Sequence, residues 1–262
     1  MSGRRKFGTL QKEMELVTEE LKKSGTWTPP AGCKKVDAFL VGGGGGGSVW
    51  NVYNKVNPDE EGNYSDANGG GGGYTKTYYD IPVNTGEAIS FTIGNGGAGA
   101  YGSYQSTAEE GGKTWFKDSN TYYANGGKPG KTPIDGSYSS YGGDGGSGGG
   151  CSGGKGGTNG GNGATKRAGT TAGKGQGYST KCPFDGYSTR VFSGGGGSAG
   201  NGYANGGDSS AGDSYSSNGN SWGTSGKANT GGGGGGKWSG DTSQAGSGGS
   251  GIIILRYYKY KE

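Results

Sequence analysis

Glycine fills 70 of the 262 positions and comes in unbroken runs, among them Gly42–Gly47, Gly69–Gly73, Gly194–Gly197 and Gly231–Gly236. A residue without a Cβ buries almost no apolar surface, and little else here can. Leu, Ile, Val and Phe together supply 26 residues, about a tenth of the chain, against the roughly 20% below which disorder becomes the default reading. Disorder usually needs a high net charge as well, and here 25 basic residues nearly balance 21 acidic ones. The chain therefore either coheres without a large apolar core or remains a flexible low-complexity tract.

The runs carry a period. Gly142-Gly-Asp-Gly-Gly-Ser-Gly-Gly-Gly150 is built of Gly-Gly-X triplets, which resume at Gly153-Gly-Lys-Gly-Gly157 and Gly160-Gly-Asn-Gly163. Three residues per turn is the repeat of a polyproline II-type helix, which has no internal hydrogen bonds. Its backbone groups must find partners in neighbouring helices, and only glycine lets backbones approach that closely on several sides. The expected device is a bundle of polyglycine II helices over residues 136–251, joined by Gly42–Gly47 and Gly69–Gly73.

Strand material lies mostly between residues 25 and 135. Lys35–Val41, Tyr74–Tyr79, Ala88–Ile93, Thr114–Phe116 and Thr121–Ala124 read as strands, the last two as a hairpin around Asp118-Ser-Asn120. Ile252–Tyr260 is a further strand at the far end of the chain and needs a partner among these. A small antiparallel β-sandwich from residues 25–135 and 252–262 is expected, with the glycine bundle inserted. At the start, Phe7, Leu10, Met14, Val17 and Leu21 follow heptad spacing, and Lys22-Lys-Ser-Gly25 supplies a stop signal. This predicts a short N-terminal α-helix within residues 1–24, lying on its own domain or serving attachment or oligomerisation. The predicted fold class is thus mainly β plus polyglycine II, with one short helix.

Signals for chemistry are sparse. There is no histidine, which removes the commonest general base and metal ligand. Three cysteines are too few for a disulfide framework, although Cys151 and Cys182 could pair. Gly94-Asn-Gly-Gly-Ala-Gly99 matches a dinucleotide fingerprint but is followed by no helix. Asp59, Glu60 and Glu61 lack the spacing of a calcium loop. No catalytic residue, metal site or cofactor is expected, and the chain reads as a non-enzyme. Lysines and arginines form no stripe and no Arg-Gly-Gly triplet occurs, so nucleic-acid binding is not expected. No run reaches membrane-spanning length, and no signal peptide is evident.

What stands out is the vocabulary between the runs. Tyr101-Gly-Ser-Tyr104, Ser137-Tyr-Ser-Ser-Tyr141, Tyr178, Pro183-Phe-Asp-Gly-Tyr187 and Asp213-Ser-Tyr215 through Trp222 combine Tyr, Ser, Gly, Asn and Trp. Antibody paratopes use this mixture, aromatic rings giving contact area and small polar residues adapting to the target. Tyr101, Tyr104, Tyr138, Tyr141, Tyr187, Tyr215 and Trp222 are the candidate recognition residues; the plainer reading is that such residues cover the ends of the bundle.

Gly25-Thr-Trp-Thr-Pro-Pro-Ala-Gly32, Val36-Asp-Ala-Phe-Leu-Val-Gly42 with the glycines to 47, Gly70-Gly-Gly-Gly-Tyr-Thr-Lys-Thr77, Ile89-Ser-Phe-Thr-Ile-Gly-Asn-Gly-Gly97 and Gly249-Ser-Gly-Ile-Ile-Ile-Leu-Arg-Tyr257 follow one another along the chain. This ordered set resembles the glycine-rich domains of bacteriophage tail proteins, and is similar to the receptor-binding adhesins at the tips of T-even-like tail fibres. A related glycine-rich fold occurs in the extracellular part of anaplastic lymphoma kinase receptors. The resemblance implies a virion protein, exposed outside the cell, that recognises a bacterial surface protein or glycan and joins other phage tail proteins. A virion decoration or capping protein that binds no host is the alternative; an ice-binding face fits the bulky aromatic loops poorly.

Overall fold

The computed structural model describes residues 12–49, 67–102, 107–131, 142–150, 181–199, 205–214, 223–237 and 244–261. Eight strands run through them: β1 (Met14–Leu21), β2 (Gly25–Trp27), β3 (Lys35–Val41), β4 (Thr75–Pro82), β5 (Ile89–Thr92), β6 (Thr114–Phe116), β7 (Tyr123–Ala124) and β8 (Ile252–Tyr260). They form two antiparallel sheets, ordered β1-β8-β3-β4 and β2-β5-β6-β7. No helix occurs among the described residues.

The N-terminal helix is therefore a misreading. Met14–Leu21 is a strand, pairing with β8 from Met14 opposite Tyr260 to Leu21 opposite Ile253. Local spacing lost to a tertiary demand: without β1, the long β8 would present an unpaired edge. The heptad face is split by the strand's period of two. Val17 and Leu21 turn inward onto the core, whereas Met14 points outward and is 40% exposed. Phe7 and Leu10 lie outside the described residues. Glu19, also inward, accepts a hydrogen bond from Trp27 Nε1 at 3.0 Å and another from the Tyr257 hydroxyl at 2.9 Å. One carboxylate thus ties the two sheets together.

The β3–β8 sheet is buried on both faces. Towards the second sheet, Val36, Ala38, Leu40, Ile253, Leu255 and Tyr257 meet Trp27, Ile89, Phe91 and Phe116. Trp27 sets its ring edgewise to Tyr257, centroids 5.2 Å apart. On the other face, Phe39, Val41, Ile252 and Ile254 are covered by Cys182, Phe184 and Phe192. That double burial explains the unbroken apolar run Ile252–Leu255, since alternate residues feed opposite cores. Arg190 holds the covering segment down. Its guanidinium donates to Glu20 at 2.7 Å and to the Asn229 carbonyl at 2.9 Å.

Glycine takes over where strands stop, always at the same end of the sandwich. β3 runs into Gly42, β5 into Gly94, and β7 into Gly126 by way of Asn125; Gly73, Gly112 and Gly251 lead back towards β4, β6 and β8. The glycine lattice consequently draws on segments 42–48, 94–100, 109–112 and 125–130 as well as on the later part of the chain.

Candidate binding surface

The lattice is held by its backbone. Along the first run, Gly42, Gly45 and Ser48 donate to Tyr74, Gly71 and Asn68; Gly43 and Gly46 donate to Gly112 and Glu109; Gly44 and Gly47 donate to Gly249 and Gly246. Successive amides thus address three different neighbours and return to the same one every third residue, the period of a polyproline II-type helix. The carbonyls follow the same order. Those of Gly43 and Gly46 accept from Gly127 and Gly130, those of Gly44 and Gly47 from Gly97 and Ala100, and those of Gly45 and Ser48 from Gly234 and Lys237. Six neighbouring segments surround this run, and every amide and carbonyl from Gly43 to Ser48 is used. Full pairing of buried backbone replaces apolar burial as the source of cohesion.

These registers fix where each excursion begins. Val49 bridges Lys237, Ala67 bridges Ala199, and Tyr101 bridges Gln244, all at the end of the lattice away from the sandwich. Val49, Ala100, Ala108 and Ala245 form a small apolar cluster there. Gly143 and Gly150 bond Gly69 at that level, Ser214 Oγ donates to the Ser198 carbonyl, and Gly223 donates to Gln244. The chain therefore leaves the distal end after residues 49, 102, 131, 199, 214 and 237, and returns to it at 67, 107, 142, 205, 223 and 244. It also leaves this end after Gly150, and next appears at Lys181, beside the sandwich.

Against this frame the candidate recognition residues separate. Tyr101 stands at the distal end, 58% exposed. Tyr104, Tyr138, Tyr141, Tyr215 and Trp222 lie outside the described residues, in stretches that begin and end there. Tyr187 is elsewhere, half-buried on the sandwich flank against the Phe184–Phe192 cluster. Burial and its hydrogen bond to Glu20 push the Tyr187 hydroxyl up to about 12. Glu20 itself is pushed up by burial, but Lys22, Tyr187 and Arg190 outweigh that and hold it below the usual carboxylate range. Tyr187 with Phe184 thus reads here as a cover for the β3–β8 sheet. Cys182 beside them is a free thiol that burial pushes up to about 11; Cys151 lies outside the described residues.

The attachment residues also part company. Met14 shares an outward face with Leu16, Tyr258 and Tyr260, since Met14 opposes Tyr260 and Leu16 opposes Tyr258. All four are between 37% and 57% exposed, at the tip of the sandwich farthest from the lattice. The sequence signal for this strip is alternation in Arg256-Tyr-Tyr-Lys-Tyr260, which only the β1 register makes meaningful.

One acid inside the lattice gives a pH-dependent expectation. Asp208 accepts hydrogen bonds from the Ser210 amide, at 2.8 Å, and from its hydroxyl. Burial nonetheless pushes its carboxyl above the ordinary range. A raised folded-state value favours the protonated form, so stability is greater below the unfolded value and declines as pH rises through the folded one. Asp208→Asn keeps an acceptor without the charge. Urea melts should find it more stable than wild type near pH 7 and equal to it near about pH 3; a variant less stable at neutral pH would contradict this account.

Among the described residues no group of acids and cysteines could hold a metal ion, and no helix is long and apolar enough to cross a membrane. No curated protein sequence matches the chain. Residues 18–258 match the family model described as a glycine-rich domain, so the chain belongs to the glycine-rich domain family.

Proposed function

We propose that this protein is a phage tail-tip adhesin, carried on the virion, that recognises a bacterial surface molecule through the distal end of its glycine lattice. The observation that carries the reading is the shared address of the excursions. Stretches rich in Tyr, Ser and Asn start and finish on one end of a lattice held by backbone hydrogen bonds, much as sandwich loops cluster to form a paratope. A rigid base lowers the ordering cost of binding, and Tyr and Trp dominate binding hot spots. The opposite tip, with Met14, Leu16, Tyr258 and Tyr260 exposed, is the side we assign to other tail proteins. Oligomerisation through a helix has no place in this reading, because the segment is a strand.

The test is binding of labelled protein to a panel of intact bacteria. Tyr215→Ala with Trp222→Ala should reduce binding to a responsive strain by about a hundredfold, two hot spots of roughly 1–2 kcal/mol each, with the melting temperature unchanged. If that variant, and Tyr138→Ala with Tyr141→Ala, and Tyr101→Ala all bind as wild type does, the distal aromatics are covering and the protein is a structural virion component.

A further inference from the structure

The second sheet has an outer face that neither the core nor the distal end uses. Alternation along β6 and β7 sends Thr114, Phe116 and Ala124 inward, where they are buried, and leaves Trp115 and Tyr123 outside. These two are a direct cross-strand pair, with Thr92 of β5 on the other side of Trp115. Both rings are only half-buried, so together they make a small aromatic platform. Its geometry is fixed from beneath. The Tyr78 hydroxyl donates to the Tyr123 carbonyl at 2.9 Å and accepts from its amide at 3.1 Å, pinning the backbone that carries the ring.

Two cations stand around the same ring. Lys113 Nζ lies 4.9 Å from the Tyr123 centroid, and Lys76, reaching across from the other sheet, lies 5.9 Å from it and 4.9 Å from Tyr78. Lys113 is steadied by donating to the Ser119 carbonyl at 3.1 Å. Some exposed lysines elsewhere pair with carboxylates, as Lys35 does with Asp80, Lys128 with Glu110 and Lys261 with Glu13. Lys76 and Lys113 have no such partner among the described residues. The acid of the neighbouring turn, Asp118, is occupied with the amides of Asn120 and Thr121 at 2.7 and 2.9 Å. An aromatic ring offsets only part of one cation's charge, so two cations here leave positive potential beside a flat apolar surface.

That pairing has a chemical complement. The C–H faces of a pyranose ring stack on indole and phenol rings, and a carboxylate at the rim of the sugar accepts charge-assisted hydrogen bonds from ammonium groups. We infer that Trp115, Tyr123, Lys76 and Lys113 form a binding site for an acidic saccharide. The site lies on the flank of the sandwich, apart from the distal end of the lattice, and holds whether or not that end recognises a host.

The experiment is calorimetric titration of the full chain with tetragalacturonate, with maltotetraose as the uncharged probe. Wild type should bind tetragalacturonate, and Lys76→Gln with Lys113→Gln should weaken it about tenfold or more without lowering the melting temperature. Maltotetraose should bind about tenfold more weakly than the acid. The assignment is overturned if wild type shows no binding at about 10 mM tetragalacturonate. It is also overturned if the double variant binds within about twofold of wild type, or if maltotetraose binds equally well. Because the readout is a defined sugar on this flank, loss of cell binding in the distal aromatic variants leaves it untouched.

Discussion

Gly45→Ala should cost about 3–5 kcal/mol, a large share of the stability of an ordinary domain, although it adds a single methyl group. Gly45 sits mid-run with its amide on Gly71 and its carbonyl on Gly234, and a Cβ there would fall on the Lys128 carbonyl oxygen. The obstacle is backbone, which has no rotamer to escape into. Lys128 must therefore move, and its carbonyl already accepts from Gly71. Relief of one clash thus breaks hydrogen bonds in a neighbouring run. Working against this is the entropy that alanine removes from the unfolded chain, about 0.4–1 kcal/mol, which is too small to compensate. Gly145→Val meets the Gly72 carbonyl in the same way. The contrast is Gly25 in β2, where a Cβ would make only ordinary contact with the Phe91 ring at 3.8 Å. Gly25→Ala should be tolerated. Urea melts of the Gly45 and Gly25 variants side by side decide the matter, and a Gly45→Ala protein as stable as Gly25→Ala would refute the lattice account.

Removing residues 1–24 should abolish folding instead of releasing an appendage. The deletion takes all of β1, the half-buried side chains of Val17 and Leu21, and the Glu19 carboxylate that serves Trp27 and Tyr257. Two partly buried aliphatic side chains contribute roughly 1 kcal/mol each, and hydrogen bonds to a charged group about 1.5–3 kcal/mol apiece. The sum is on the order of 5 kcal/mol, comparable with the whole stability of many domains, and β8 would be left as an open edge. Point variants separate strand from helix cleanly. Val17→Asp should be as damaging as the deletion, whereas Met14→Asp, on the exposed face, should be nearly silent. A soluble truncated protein with a cooperative melt, measured by circular dichroism, would overturn the expectation.

Why β1 escaped the sequence reading is physically instructive. Its inward positions are Glu15, Val17, Glu19 and Leu21, so half of the buried-side pattern is acidic and the period of two is erased. Glu19 faces inward because the indole and phenol beneath it need an acceptor, a demand that originates far away in the chain. With those acids set aside, Leu10, Met14, Val17 and Leu21 show a helical spacing that is accidental. Strands made of β-branched and aromatic residues, such as Ile252–Tyr260 and Lys35–Val41, were legible because both burial and propensity agree there. The cover formed by Phe184 and Phe192 was not, since an irregular segment carries no period; its Tyr187 looked like a recognition residue for want of any sign that Glu20 waits above the sheet. The threefold bonding order is read along Gly42–Ser48, whereas the triplet run 142–150 folds back on itself, Gly149 donating to Gly143, and nothing in the sequence says which runs adjoin. Adjacency among identical glycines is written in the loops and registers, not in the runs themselves.

The surroundings of the first glycine run also bear on how the protein is made. Gly44 and Gly47 need Gly249 and Gly246, and β3 needs β8, the last strand to be synthesised. A ribosome adding about 5–20 residues per second spends on the order of ten seconds or more between the two halves of each of these contacts. During that time Gly42–Gly47 lacks two of its six neighbours, the segments around Gly234 and Gly246–Gly249, and β3 shows a bare edge. Folding of the lattice therefore waits for residues 246–260 to leave the ribosome, and is slow in the manner of chains whose contacts are mostly distant in sequence. Growing cells should hold a standing pool of chains still lacking β8, open to proteases and to one another, and a premature stop anywhere before Ile252 forfeits the whole molecule instead of a part of it.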